Sequence, residues 1–341
     1  MRISLADMLA THDIILADGA TATNFFQRGL ESGYPPELWN VEHPHQLTRL
    51  HQEFVDAGAD LILTNSFGGT RQRLKLHKAD DRVFELAEAA AKIARAVADA
   101  VDRPIVVAGS VGPTGELFEP LGALTHDVAV ASFREQIEGL IAGGADVVWI
   151  ETMSSVEEVR AAAQAAIDVG VPYTATWSFD TAGRTMMGLM PDAIVHVFDG
   201  LAVPPLAFGA NCGVGASDIL VTVLTICGGP PLHPEGQAPI IVKGNCGIPQ
   251  FHGTEIVYSG TPELMARYAQ MAVAAGARIV GGCCGTSPEH LAAMRRAIDT
   301  RVPTAPPTIS EIVDAIGPLA NAVPSDLGDG DRVRRRSRRG E

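Results

Sequence analysis

The stretch of this sequence best equipped for chemistry is Gly281-Gly282-Cys283-Cys284-Gly285-Thr286. The run Ala277-Arg278-Ile279-Val280 ahead of it reads as a strand. Ser287 and Pro288 behind it read as the N-cap and first residue of a helix. Two adjacent cysteines therefore stand where a strand gives way to a helix. Neighbouring cysteines close only a strained disulfide ring, whereas two thiolates on one soft metal ion make good coordination chemistry. The flanking glycines allow a turn tight enough to aim both sulfurs at one ion. Cys212, in Gly209-Ala210-Asn211-Cys212, is a third candidate ligand. Three thiolates leave one tetrahedral position open, as catalytic zinc sites do, and an open position suits a substrate that is itself a thiol. Zinc holds such a thiol as the thiolate near neutral pH. The competing reading is a set of buried core cysteines. Cys246 reads as a pocket residue rather than a ligand, and Cys227 as packing behind a helix.

Bringing Cys212 to Cys283 and Cys284 requires a scaffold. Eight short apolar runs recur along the chain: Ile14–Ala17, Leu61–Leu63, Ile105–Ala108, Val147–Ile150, Tyr173–Trp177, Leu206–Ala210, Ile240–Val242 and Ile279–Val280. Continuous apolar, often β-branched runs are how strands buried on both faces read. Alanine-rich segments of helical period lie between them: Phe84–Val101, Phe133–Ala142, Val156–Ala166, Pro191–Phe198 and Pro262–Ala275. Asp81, Ser155 and Thr261 are their candidate caps. The alternation predicts an α/β protein, a (β/α)8 TIM barrel. The rival doubly wound sheet expects a glycine-rich phosphate loop after the first strand, and Asp18-Gly19-Ala20-Thr21 is not one. In a barrel the strand ends meet on one rim, where such folds do their chemistry. The first strand ends at Asp18-Gly19, the second at Thr64-Asn65-Ser66-Phe67, the fourth at Glu151-Thr152, the sixth at Asn211-Cys212 and the eighth at Cys283-Cys284.

With 341 residues, 46% of them hydrophobic, the chain can fill one large core. The barrel is expected over residues 1–300. Residues 301–341 read as a C-terminal extension, its Arg-rich end (six arginines between Asp331 and Glu341) as a solvated tail. A net charge of −14 argues against a nucleic-acid partner. No apolar run is long enough for a membrane span. The N-terminus is a poor signal peptide, and five cysteines, an odd number, fit a cytoplasmic protein with working thiols. The sequence sets no oligomeric state, and a homo-oligomer stays open.

Taken together, Asp18-Gly19-Ala20, Thr64-Asn65-Ser66-Phe67, Gly112-Pro113-Thr114-Gly115, Glu151-Thr152, Gly209-Ala210-Asn211-Cys212 and the Gly281–Thr286 motif resemble the homocysteine S-methyltransferase family. The resemblance runs from about Asp18 to Ala297, with the motifs in family order. It implies a zinc-dependent barrel that methylates homocysteine to methionine, with Cys212, Cys283 and Cys284 as zinc ligands. Asp18 and Glu151 match the acidic positions that hold the homocysteine amino group, and the backbone of Gly19 and Ala20 would meet its carboxylate. Thr64, Asn65 and Ser66 either orient the rim or cap its turn. Read as a whole enzyme, the chain leaves no room for folate and cobalamin domains, so a small onium donor is expected, glycine betaine ahead of S-methylmethionine and of a separate corrinoid protein. Onium methyls favour aromatic walls, which makes Trp39, Trp177, Phe67 and Phe179 candidates, whereas mid-strand Trp149 reads as core. The family's animal betaine enzymes carry tyrosines where this chain has Gly68 and Thr152, so a betaine cage here would differ. A non-catalytic barrel that binds zinc and thiols is the alternative of a different class. If the metal reading holds, Cys283→Ala and Cys212→Ala each remove zinc and methionine formation together, as metal analysis and a product assay will read.

Overall fold

The eight apolar runs all become strands of one parallel sheet. The structure, a computed structural model, describes residues 2–229, 232, 238–247, 249–252 and 255–321. In chain order the strands are β1 (Ile15–Leu16), β2 (Leu61–Leu63), β3 (Val106–Val111), β4 (Val147–Met153), β5 (Tyr173–Trp177), β6 (Phe208–Cys212), β7 (Ile240–Gly244), a separate antiparallel pair β8 (Pro249–His252) and β9 (Glu255–Tyr258), and β10 (Ala277–Gly282). The sheet order is β1-β10-β7-β6-β5-β4-β3-β2. A parallel bridge between Ala17 and Leu61 links its two ends, so the sheet closes into a (β/α)8 barrel.

Period-two alternation sorts the strand residues into two cores. Ala17, Leu63, Val106, Ala108, Val147, Trp149, Ile241 and Ile279 fill the barrel interior. Their neighbours Leu16, Ile62, Val107, Val148, Ile150, Ala175, Val242 and Val280 pack outward on the helices. Most strands are thus apolar on both faces, which is why they read as unbroken runs; β5, with Thr174 and Thr176 on its inner side, and β7, with Lys243, are the exceptions. Leu5 and Met8 of the N-terminal helix Leu5–Thr11 join the interior cluster and plug the N-terminal end of the barrel.

The helices follow the sequence closely. Ser155 and Thr261 cap theirs by accepting from the amides of Glu158 and Leu264. Asp81 does not cap, because Arg82 takes the N-cap position of helix Val83–Asp99. Ser287 forms a capping box, with His290 answering its own amide. The extension after residue 300 holds one more helix, Ile309–Ile316, with its own Thr308/Glu311 capping box. Ile312 is fully buried there, and Asp218 accepts from the amides of Ala320 and Asn321 at 3.0 and 2.8 Å, tying this segment to the helix after β6. The arginine-rich tail lies outside the described residues.

Trp149, fully buried, is the largest side chain of the interior core. Trp149→Ala leaves a cavity that eight strands cannot collapse to fill, and is expected to cost about 3–5 kcal/mol in chemical denaturation.

Candidate metal and thiol site

The three cysteines meet on the C-terminal rim. Among the described residues, Cys212, Cys283 and Cys284 form the one group of metal-binding side chains found, with sulfurs within 4.8 Å of one another. Thiolates around one tetrahedral zinc stand about 3.8 Å apart, given Zn–S bonds of about 2.3 Å, so a small contraction would bring all three onto an ion.

Their positions are fixed by backbone and by two asparagines. Cys212 ends β6 at φ +62°, in the left-handed region that a side chain adopts at a cost. Cys283 N–H donates to the Gly244 carbonyl at 2.7 Å, and Cys246 N–H donates to the Cys284 carbonyl at 2.9 Å, so the β10 loop is pinned to the β7 loop. Asn245 spans the two cysteine-bearing loops: its Oδ1 accepts from Cys284 N–H at 3.1 Å and its Nδ2 donates to the Gly213 carbonyl at 2.8 Å. Asn211 accepts from Thr176 Oγ1 and from Thr152 N–H, donates to Thr152 Oγ1, and reaches Cys283 Sγ at 3.9 Å. It thereby holds Thr152 in its own left-handed conformation, φ +61°. The glycines of the motif are needed for space: a Cβ on Gly282 would run into Thr286, and one on Gly285, at φ +81°, into the Tyr258 ring.

Electrostatics points the same way. Hydrogen bonds from Cys212 and Cys283 hold the Cys284 thiol well below the ordinary thiol range, while bonds to Cys283 and Cys284 push Cys212 far above it. Sulfurs this close cannot all ionise side by side, and a bound cation is what would let them do so. The donor set fits zinc. Cys246 is buried but its sulfur stands outside the cluster, and Cys227 is half-buried in helix Ala216–Gly228 beside Gly276.

The cysteines line a cavity of about 560 Å³. Glu151 and Lys243 share this inner end, and Gly19 and Ala20 form part of its wall. Glu151 Oε1 accepts from Ser110 Oγ at 2.5 Å, and burial pushes its carboxyl up to about 7. Asp18 lies behind the wall, 1% exposed; Lys243 Nζ donates to its Oδ1 at 2.7 Å and Leu63 N–H to its Oδ2 at 2.8 Å. The outer end carries Tyr34, Glu37, Phe67, Arg73 and His77.

Four sequence expectations change. Trp177 shares the outward phase of Tyr173 and Ala175 and packs against Phe198, ring centroids 5.6 Å apart. Trp39 packs on Phe25 at 5.2 Å. Neither lines the cavity, and nor does Phe179; the aromatic faces there are Phe67 and Tyr34. Asn65 borders the cavity, yet its amide donates to the Pro36 carbonyl and to Asn40 Oδ1, so it holds the wall rather than facing a ligand. Thr64 and Ser66 bond each other at 2.6 Å, and Ser66 reaches the Ser110 carbonyl, which ties β2 to β3 at the rim. Lys243 was missed as a site residue, though a lone lysine after Ile240-Ile241-Val242 was its signal.

A closed parallel barrel with a three-cysteine cluster on its catalytic rim defines a class: barrel enzymes built to hold a metal ion beside a cavity. A family model described as homocysteine S-methyltransferase matches residues 15–298, and the chain belongs to that family of methyltransferases. Methionine synthase of Mycobacterium leprae is 30% identical over 357 aligned residues, covering 96% of this chain and 28% of that protein. Methionine synthase of Mycobacterium tuberculosis is 29% identical over 312, covering 86% and 25%. The chain thus spans about a quarter of the length of these curated relatives. Among solved structures, the homocysteine methyltransferase MmuM from Escherichia coli in its oxidized form is similar with a TM-score of 0.70 and 25% identity, over 85% of this chain and 97% of that one. Its metallated form gives 0.69 at 25% identity, over 85% and 98%.

Because the Glu151 carboxyl is held near 7 against an ordinary 4.5, the folded protein keeps a proton that the unfolded chain gives up. Its contribution therefore lowers stability as pH rises from about 4.5 to about 7, with no further loss above. Glu151→Gln is expected to flatten that part of the slope for the metal-free protein, measured by denaturation at a series of pH values.

Proposed function

We propose that the chain is a zinc-dependent homocysteine S-methyltransferase that forms methionine. The observation that carries this reading is the cluster of three sulfurs within 4.8 Å, opening on a cavity that also presents Glu151 and Lys243 beside them. Cys212, Cys283 and Cys284 would hold the zinc, which when bound supplies a Lewis acid that keeps a thiol ionised near neutral pH. The protein's own part is orientation and exclusion of water. Glu151, at the inner end, pairs with the substrate ammonium and fixes the amino-acid end of homocysteine, so that its sulfur lies at the cysteines. Asn211 and Asn245 hold the cysteine loops in register. The substrate sulfur then displaces the donor's leaving atom from the methyl carbon in line, and that atom departs with the bonding pair. The strand interior below is packed solid by Trp149 and its neighbours, which keeps solvent from approaching from beneath.

For the donor we keep glycine betaine first. A cationic methyl group would find the faces of Phe67 and Tyr34, and a donor carboxylate would find Arg73. The withdrawal of Trp39 and Trp177 into packing weakens this choice, and the likeness to methionine synthases favours a second reading, in which a corrinoid partner delivers the methyl group. S-methylmethionine stands beside both. The free thiols of the chain fit a cytoplasmic setting, and among the described residues no helix is long and apolar enough to cross a membrane.

The deciding assay gives zinc-loaded protein homocysteine with glycine betaine, S-methylmethionine or a methylated corrinoid protein, and measures methionine. One donor is expected to support turnover well above the others. Tight thiol binding with no methionine from any donor would instead identify a thiol-binding barrel.

A further inference from the structure

Lys243 is the charged group of the inner cavity that this reading leaves without work. It ends an apolar run on β7, and Ile241, two residues before it, belongs to the interior core, so Lys243 shares the inward phase. It is 2% exposed. A lysine that deep needs a partner, and Asp18 provides one at 2.7 Å. Burial alone would lower its pKa, but Asp18 and Glu151 carry it above the ordinary lysine value, so it stays an ammonium.

The pairing changes what Asp18 can do. Both of its oxygens are engaged, one by Lys243 and one by the Leu63 amide, and its side chain does not line the cavity. The acid that resemblance assigns to a substrate ammonium already holds the protein's own. Lys243 has three N–H donors; one goes to Asp18, and Lys243 itself lines the cavity beside Glu151 and Cys283. The inner cavity therefore offers a thiol amino acid one carboxylate and one ammonium, matching its two charged ends.

We infer that Lys243 receives the α-carboxylate of the substrate while Glu151 takes its ammonium, and that Asp18 is a positioning residue that fixes the Lys243 ammonium. This rests on the homocysteine reading and decides which group selects an amino acid over a simple thiol.

The test is calorimetric titration of the zinc-loaded full chain with homocysteine, 3-aminopropanethiol (no carboxylate) and 4-mercaptobutanoate (no ammonium). The wild type is expected to bind homocysteine at least tenfold more tightly than 3-aminopropanethiol, the margin of one charge-assisted contact. Lys243→Met should erase that margin: homocysteine and 4-mercaptobutanoate weaken at least tenfold, and 3-aminopropanethiol changes less than threefold. Lys243→Arg should keep much of it. Asp18→Asn, which loosens the lysine without removing it, should weaken homocysteine and spare 3-aminopropanethiol, and it supplies the test if the methionine variant does not fold. Equal weakening of all three thiols, or no change in any, overturns the assignment while leaving homocysteine binding by the wild type intact. Failure of the wild type to bind any of the three overturns the homocysteine reading and this inference with it.

Discussion

The site depends on a single constraint: two loops separated by a whole strand must deliver their sulfurs to one point. β6 and β10 both pair with β7 and never with each other. The β7 loop is therefore the spacer, and its backbone contacts with the β10 loop, together with Asn245 reaching to Gly213 beside Cys212, set the gap. Ring closure adds a second hold. In an open sheet the same three strands would still be neighbours and β1 would still pair with β10, but the other side of β1 would be an edge. The bridge at Ala17 and Leu61 brings β2 alongside, where the Leu63 amide holds the Asp18 oxygen that Lys243 does not take.

The rim also concentrates charge where water is scarce. Three half-buried thiols share a small volume with two buried carboxyls and a buried lysine. Such a group is tolerable only if its charges offset one another. The Asp18–Lys243 pair is internally neutral, and removing one member alone from a buried pair costs about 3–5 kcal/mol. Burial holds the Glu151 carboxyl protonated up to near neutrality, and among the described residues the Ser110 hydroxyl is its hydrogen-bond partner. Left-handed Thr152 and Cys212 add conformational strain beside it, held by Asn211. Strain and uncompensated charge gather on the same few residues, as expected where a fold gives up stability for chemistry.

Much of this was legible in the sequence. All eight barrel strands stood out as short, largely apolar runs, and the three cysteines because they sit at strand ends beside glycine. Trp177 is set by its phase: Thr174 and Thr176 alternate with Tyr173, Ala175 and Trp177, and here it is the apolar set that packs outward on the helices. Helix Ile309–Ile316 carried its capping box openly, but it stands past the last barrel strand, where no alternation of strand and helix points to it. The role of Asn211 could not be read, since it exists only once β4, β5 and β6 are side by side. Lys243 was visible as a letter; its meaning required Asp18, 225 positions away in sequence.

The plug made by Leu5 and Met8 has an effect on traffic. With that end of the barrel stoppered and the bore filled by Trp149, the described residues leave no route to the cavity through the barrel, and a molecule seated against the sulfurs stands on a closed floor.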